Sequence, residues 1–277
     1  MASKLDLDKV RENLKKFQNN SNSSARDKHM LQLIDGEQTV RIVPYKFNPG
    51  YPFKEMYFHY EIGGRTYLSP ITEGENDPFV EYADKLKATG DKTDRDMAYK
   101  LYPKLRVYAP VIVRGKEDEG VKFWSFSKTI YQELLGILAD PDWGDVSDLE
   151  SGHDLKVTYI PKEKSGKSFA ETKISPKPKP SPVVNLKAEG AQELVEKIIN
   201  EQVSVTDLYT QYSYEEMEDV MNNWLNPSDK EEEEADAPVL GKEKSDLPFD
   251  NLEEEEVVDH TDEIKGKIDS LFAKKNK

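Results

Sequence analysis

Apolar and polar residues alternate along much of the chain between residues 29 and 176, and a period of two is typical of β-strands. Glycine-containing turns separate four pairs of such runs, which predicts hairpins. The runs lie in "HMLQLID" and "TVRIVPY" around Gly36, "FKEMYFHYEIGGRTYLSP" with its turn at Gly63-Gly64, "LRVYAPVIVRG" and "VKFWSFS" around "KEDEG", and "DLKVTYIPK" and "SFAETKIS" around "EKSG". Together these eight runs are expected to form about six or seven short strands. Strands of this length and number suit a small, partly open barrel.

Helical spacing of apolar residues interrupts and follows the strands. It predicts helices at residues 3–17, at Pro78–Lys87 behind the capping sequence "GEND", and in "TIYQELLGILAD", "AQELVEKIINEQ" and "SYEEMEDVMNNWLN". The segment "PKPKPSP" (Pro176–Pro182) cannot join the interior of a sheet, so we expect it to run extended with its lysines exposed. The fold class is therefore mainly β with helical insertions, and its last part is helical.

Composition narrows the class of protein. Of the 277 residues, 36% are hydrophobic and 34% are charged, which indicates that part of the chain lies outside a packed core. The sequence contains no cysteine, so it has neither a disulfide framework nor a thiolate metal site. No run approaches the ~20 apolar residues of a membrane helix, and the N-terminus lacks the apolar segment of a signal peptide. We expect a soluble, intracellular protein.

The formal charge of -15 is unevenly distributed. Residues 228–263 hold 16 acidic and 3 basic side chains, whereas residues 1–28 hold 7 basic and 4 acidic ones. Blocks of like charge such as Glu231–Glu234 are typical of disordered interaction tails, and a solubilising tail without a partner is the alternative. The net charge therefore says little about the barrel itself.

The motifs of catalytic chemistry are missing. The sequence has no Walker-type phosphate loop, no G-x-S-x-G motif and no H-E-x-x-H motif, and its 4 histidines are scattered. A metal-dependent nuclease site usually needs carboxylates gathered on strands, whereas a pair such as Glu215-Glu216 lies on a predicted helix surface. We predict that the protein is not an enzyme.

Residues 101–128 combine aromatic rings and bases on two predicted strands, in "LYPKLRVYAPVIVRGKEDEGVKFWSFSK". Alternate residues of a strand share a face, which groups Lys104, Arg106 and Tyr108 opposite an apolar face. Exposed rings stack on unpaired nucleic-acid bases for ~1–3 kcal/mol each, while cations between the rings neutralise phosphates. This pattern favours single-stranded nucleic acid as the ligand.

Two alternatives for these rings remain open. The first is that they belong to the core, which for Phe123 and Phe126 is at least as strong a hypothesis as binding. Charged neighbours favour binding for Tyr102, Tyr108 and Trp124. The second alternative is a protein-binding hot spot, which also uses Tyr, Trp and Arg. Strong salt dependence of affinity would distinguish nucleic acid from a protein partner.

Two local stretches are similar to a known family. "TVRIVPYK" resembles an early strand, and "KLRVYAPVIV" with "GVKFWSFSKTIY" resembles the paired DNA-facing strands, of the single-stranded DNA-binding proteins of T-even-type phages, the gene 32 product family. The order of basic arm, barrel and acidic tail is also similar. The resemblance implies an OB-fold core that coats single-stranded DNA cooperatively and without sequence preference. It also implies roles in viral DNA replication, recombination and repair, in the cytoplasm of an infected bacterial host.

Four segments are predicted from this resemblance and from the composition. They are a basic N-terminal arm for cooperativity (1–28), an OB-fold single-stranded-DNA-binding core (29–183) with a subdomain around 60–90, a helical extension of the core (184–227), and a disordered, partner-binding acidic tail (228–277).

Residue by residue, the resemblance places six side chains in or near the DNA cleft, namely Arg41, Tyr99, Lys104, Tyr108, Trp124 and Phe169. The strand pattern and local composition add Lys100, Tyr102, Arg106 and Lys128. Among the rings, we expect Tyr108 and Trp124 to face the cleft before Phe123 or Phe126.

The resemblance also assigns roles to the two ends of the chain. The arm is expected to dock on a neighbouring protomer through Lys4, Lys9, Arg11, Lys15 and Lys16, although the family's tight basic cluster is reduced here to Lys4. The tail is expected to compete with DNA for the cleft and to bind replication and recombination proteins through Asp246, Leu247, Pro248, Phe249, Asp250, Leu271 and Phe272. No membrane partner is expected. The alternative from another class is an acidic protein-interaction scaffold without a nucleic-acid role.

One departure from the family concerns a metal. Its well-known members hold a structural zinc through three cysteines and a histidine. His59 falls where that histidine would, but no cysteine accompanies it. We therefore predict no zinc and no other cofactor. The subdomain is expected to be held by packing instead, with Tyr67, Leu68, Ile71, Pro78, Phe79 and Tyr82 as candidates.

Overall fold

The structure, a computed structural model, describes residues 26–185 and 190–226. Most of the predicted arm, with its helix at 3–17, and the whole predicted tail lie outside the described residues. The arm and tail site residues that lie outside are Lys4, Lys9, Arg11, Lys15, Lys16, Asp246, Leu247, Pro248, Phe249, Asp250, Leu271 and Phe272.

Seven strands form one sheet in which every paired strand runs antiparallel to its neighbour. The strands are β1 (Gly36–Ile42), β2 (Lys54–Ile62), β3 (Arg65–Leu68), β4 (Lys104–Val113), β5 (Lys122–Phe126), β6 (His153–Ile160) and β7 (Glu171–Pro180). Their order is β3-β2-β4-β1-β6-β7, and β5 also pairs with β4. No pairing between β5 and β7 closes the sheet within the described residues, so the predicted mainly β, open fold is confirmed.

The helices lie between and after the strands. They are α1 (Pro78–Ala88), α2 (Lys92–Leu101), α3 (Lys128–Ala139), α4 (Lys162–Ser165), α5 (Ala191–Asn200) and α6 (Tyr214–Leu225), with 3-10 turns at Pro70–Glu73, Glu117–Glu119 and Thr206–Leu208. The predicted "GEND" cap is confirmed, because Oδ1 of Asp77 accepts the Phe79 amide at 2.8 Å. In the part of the chain that the structure describes, no helix is long and apolar enough to cross a membrane.

The strand connections follow an OB-like path. Strands β1, β4 and β5, then α3, then β6 and β7 give the strand–helix–strand order of a five-stranded, partly open barrel. The pair β2 and β3, with α1 and α2, is inserted between β1 and β4. The two halves of the predicted Gly63-Gly64 hairpin pair as expected, and both glycines have positive φ.

The hairpin predicted around Gly36 is wrong. Residues 31–35 form no ladder with β1, and Met30 instead makes an isolated parallel bridge to Phe123 on β5. The amide of Leu31 donates to the Phe123 carbonyl at 2.8 Å. The reason is packing: Leu31 and Leu33 lie against the barrel core, which holds this segment beside β5.

The last strand, β7, ends in the proline-rich segment. Pro176, Pro178 and Pro180 lie at the end of the sheet order, where a strand needs fewer amide donors than in the interior. Lys177 and Lys179 are exposed, as predicted for an extended strap.

Both faces of the central strands β4 and β5 are covered. One face meets the barrel core, where Val107, Trp124 and Leu134 of α3 are buried. The other face carries Tyr108 and Phe123, and residues 203–209 pack over it. Apolar burial on two sides explains why these strands contain few positions free for a ligand.

The inserted subdomain is held by apolar packing. Phe79 and Tyr82 of α1 share a buried cluster with Met217 of α6, and Tyr67 packs against it, whereas Leu68 belongs to the cluster under residues 203–209. The prediction of a packed subdomain is confirmed for Phe79 and Tyr82.

Candidate nucleic-acid interface

The first half of β4 presents the alternation that the sequence predicted. Leu105 and Val107 pack toward the barrel core, while Lys104 and Arg106 lie on the opposite face. Lys104 is exposed and Arg106 is half-buried. The Lys104 ammonium donates to the Tyr99 carbonyl at 3.1 Å, and the Arg106 guanidinium donates to Ser125 Oγ at 3.0 Å. Neither cation makes an ion pair with a carboxylate of the described residues, so their charges are available to an anion.

Tyr108 continues this face of β4 but is 4% exposed. Its hydroxyl lies 2.8 Å from the hydroxyl of Tyr209, and the two ring centroids are 5.9 Å apart. Burial, followed by the neighbouring Tyr209, raises the pKa of Tyr108 well above its ordinary value. The expectation that its ring faces the cleft is wrong, because residues 203–209 cover it.

Trp124 is 1% exposed and belongs to the barrel core. Its ring centroid lies 4.8 Å from that of Phe126, which shares its face of β5. Phe123, on the other face, is equally buried under residues 203–209. The preference for Trp124 over the two phenylalanines is therefore wrong, since all three rings are core residues.

Arg41 is fully buried and serves as a structural clamp. Its guanidinium lies 2.8 Å from Asp154 Oδ1 and donates to the Ser181 carbonyl at 2.7 Å. Arg114 reaches the same Asp154 oxygen at 2.8 Å. The expectation that Arg41 lies at a DNA cleft is wrong in this arrangement, because its charge is satisfied inside the protein.

The exposed members of the predicted set lie at the α2–β4 junction. Tyr99 is 47% exposed and Lys100 is exposed. Tyr102 is half-buried, and its hydroxyl donates to Asp84, which raises the pKa of Tyr102 to about 12. Its ring is thereby tied to α1, so Tyr99 is the freer of the two for stacking.

Two predicted residues lie on other elements. Lys128 is exposed at the first residue of α3. Phe169 is half-buried in the loop between β6 and β7, and the Lys167 ammonium lies 5.7 Å from its ring centroid. This loop is the connection between the last two barrel strands, one of the two loops that OB folds use for ligands.

Sequence reasoning missed the residues that complete the β4 surface. The guanidinium of Arg26 lies over the Tyr209 ring, 5.5 Å from its centroid. The Lys122 ammonium of β5 donates to the Lys28 carbonyl at 2.9 Å. Hereafter the basic strip means Arg26, Lys104 and Arg106 with the rings of Tyr99 and Tyr209. Lys28, His29 and Lys122 form a separate basic cluster beside β5. Residues 26 and 209 are far apart in the chain, so no local pattern indicated their contact.

The charge of the basic cluster of Lys28 and Lys122 is visible at His29. Burial lowers the pKa of His29 from 6.5, and the positive charges of Lys122 and Lys28 lower it further. The lowered pKa keeps His29 neutral in the free protein. The positive charge around it favours the binding of an anion at this place.

The loop between β1 and β2 carries two more exposed rings that the sequence reasoning missed. Phe47 is 50% exposed and Tyr51 is 36% exposed. The Tyr51 hydroxyl bonds that of Tyr131, and the Lys46 ammonium lies 5.7 Å from the Phe47 ring centroid. The signal was present in "YKFNPGYPF", where a turn sequence separates aromatics.

The residues at the family's metal position do not fit a zinc ion. His59 is buried, with Nδ1 2.8 Å from the Leu101 carbonyl oxygen and Nε2 2.8 Å from Asp77 Oδ2. Both ring nitrogens thus have protein partners, and no cysteine exists to supply sulfur ligands. Across residues 26–185 and 190–226, no group of three or more His, Asp or Glu side chains is placed to hold a metal.

An OB-like open barrel with exposed cations and rings is an arrangement typical of nucleic-acid-binding proteins. A family model described as "gp32 DNA binding protein like" matches residues 34–226. The chain belongs to this family of DNA-binding proteins, which confirms the resemblance seen in the sequence. A comparison with curated proteins found no match.

Proposed function

We propose that the protein binds single-stranded DNA without sequence preference, with the basic strip contacting the phosphate backbone. The observation that carries the proposal is the arrangement on β4, where Lys104 and Arg106 share a face and lack carboxylate partners among the described residues, and Lys104 bonds the carbonyl of the exposed Tyr99. Cations beside exposed rings suit a flexible strand, whose phosphates and unstacked bases are both accessible.

The proposal assigns stacking to a different set of rings from the one that the strand pattern favoured. Tyr99, Phe47 and Tyr51 are the exposed aromatic residues of the described chain, and Tyr209 offers a partly exposed ring under Arg26. Stacking on exposed rings is tolerant of base identity, which supports binding without sequence preference.

Cooperative coating, partner recruitment and a role in viral replication, recombination and repair belong to the same proposal. They are supported by the family, by the basic composition of residues 1–28 and by the acidic composition of residues 228–277. An acidic segment that competes as a phosphate mimic, and a host-cell cytoplasmic location, follow from the same reasoning.

The test is fluorescence anisotropy of labelled oligo-dT over a range of salt concentrations. Anisotropy does not depend on Trp124, which is buried in the core. Binding that weakens steeply with salt supports single-stranded DNA as the ligand. No binding at low salt would contradict the proposal and favour the acidic scaffold.

A further inference from the structure

His59 lies where three elements of the inserted subdomain meet. It belongs to β2, its Nε2 faces Asp77 at the start of α1, and its Nδ1 faces the carbonyl of Leu101 at the end of α2. The imidazole is 1% exposed, and its ring centroid lies 4.9 Å from that of Phe79. A buried side chain that joins three elements fixes their relative positions.

The partner of Nδ1 determines that this nitrogen is a hydrogen-bond donor. A backbone carbonyl can only accept a hydrogen bond, so Nδ1 must carry a proton. Asp77 also accepts from the Ser69 hydroxyl and from the Phe79 amide, as a carboxylate does. Burial alone would raise the pKa of Asp77, but hydrogen bonds from His59, Ser69 and Phe79 outweigh it and lower the pKa. Nε2 lies 2.8 Å from this carboxylate, so the two ring nitrogens have partners at the ends of two different helices.

Leu101 connects this ring to the basic strip. It is the last residue of α2, and it lies between Tyr99 and Lys104 in the chain. The Lys104 ammonium donates to the carbonyl of Tyr99, in the last turn of α2. A hydrogen bond to the Leu101 carbonyl therefore fixes the junction that presents both the ring and the cation.

We propose that His59 is a positioning residue for the basic strip, and that its clamp on Asp77 and Leu101 takes the place of a structural metal. The effect of His59 on DNA affinity rests on the proposed function, whereas its hydrogen bonds to Asp77 and Leu101 do not. The alternative is that His59 only fills space in the core, in which case neither nitrogen has a special role.

The first test is a long-range ¹H–¹⁵N spectrum of the full-length protein at neutral pH. Nδ1 of His59 is expected in the protonated range, as the donor to the Leu101 carbonyl. A His59 ring with an unprotonated Nδ1 would overturn the clamp. This measurement needs no variant, so it stands even if a substitution prevents folding.

The second test is a matched pair, His59→Asn and His59→Gln. The amide nitrogen of Asn lies as many bonds from Cβ as Nδ1, and that of Gln as many as Nε2. His59→Asn therefore keeps a donor for Leu101, while His59→Gln keeps a donor for Asp77. We expect oligo-dT affinity near wild type for Asn and roughly three- to tenfold weaker for Gln, the loss of one orienting hydrogen bond.

A role in packing alone predicts the same affinity in both variants, and that result would overturn the positioning role. Circular dichroism and thermal unfolding of each variant establish which fraction is folded during the titrations. If the wild type itself fails to bind oligo-dT, the proposed function fails, and the ring spectrum alone decides whether the clamp exists.

Discussion

The guanidinium of Arg26 lies over the ring of Tyr209, 5.5 Å from its centroid, and thereby joins the two ends of the described chain. Tyr209 in turn bonds Tyr108 of β4 at 2.8 Å. A cation, a partly exposed ring and a buried ring thus follow one another outward from the sheet, and the two rings meet edge to face. The segment that covers β4 is therefore also a wall of the basic strip.

The cations of β4 are expected to set the salt dependence of binding. Lys104→Ala and Arg106→Ala should each weaken oligo-dT binding and reduce the salt slope by ~0.7 for each phosphate that is no longer neutralised. Lys87→Ala, which removes an exposed lysine of α1, is the control. Unchanged slopes in both β4 variants would show that the strand passes elsewhere.

The exposed and buried rings are expected to behave differently. Tyr99→Ala should cost about 1–3 kcal/mol of binding free energy with little loss of stability, because its ring is 47% exposed. Trp124→Ala should lower the unfolding free energy by about 3–5 kcal/mol, because it empties a core site. Urea denaturation and anisotropy measured on both variants separate the two effects. The opposite result would place Trp124 at the interface.

Binding is expected to strengthen as the pH falls through the range around the ordinary pKa of His29. Burial and then Lys122 and Lys28 depress its pKa, so the free protein holds it neutral, while a bound phosphate favours the protonated ring. Binding therefore takes up a proton. Affinity for oligo-dT measured between about pH 7.5 and 5.5 checks this, and His29→Gln should flatten the profile. An equally steep profile in that variant would exclude His29 as the source.

Removal of residues 228–277 is expected to tighten binding. The deleted segment includes the 16 acidic side chains of residues 228–263, which compete with DNA phosphates for cations under the proposed function. Anisotropy at several salt concentrations compares the truncated and full-length proteins, with the largest difference at low salt. Equal affinities throughout would rule out competition by the tail.

Acid is expected to destabilise the protein through Asp77. Its folded-state pKa is lowered from 3.8, so its contribution to stability is complete above that value and is lost as the pH falls below it. Asp77→Asn keeps an N-cap but should cost about 1–3 kcal/mol at neutral pH and reduce the acid-dependent loss. Unfolding free energies from pH 6 to 2 test this, with the exposed Asp118→Asn as the control. Identical acid sensitivity in both variants would contradict it.

The alternation of residue types was enough to predict most of the fold. Short runs with a period of two gave the strands from "TVRIVPY" onward, since the side of a strand toward a core must be apolar. Segments such as "HMLQLID" have the same pattern without a ladder. The apolar residues of this segment are buried against the barrel beside β5. An alternating pattern predicts which side chains are buried but not which strand the backbone pairs with.

The candidate site was predicted only in part. Tyr99, Lys100, Lys104 and Lys128 are exposed, as expected of binding residues. Arg26 and Tyr209 were not associated with each other, because their contact depends on the path of the chain after β7. Arg41 was predicted at the DNA cleft but is buried. The sequence pattern around an arginine on a strand is the same whether its partner is a phosphate or, as here, Asp154.

By itself, the sequence determined the class of fold, the absence of sulfur ligands and the separation of an acidic segment from a mixed-charge core. The tertiary structure alone decided which rings are available. A strand pattern assigns Tyr108 and Trp124 to two faces but does not say that both faces are covered. The covering residues, α3 on one side and 203–209 on the other, come from later parts of the chain, and only folding brings their apolar surface onto the strands.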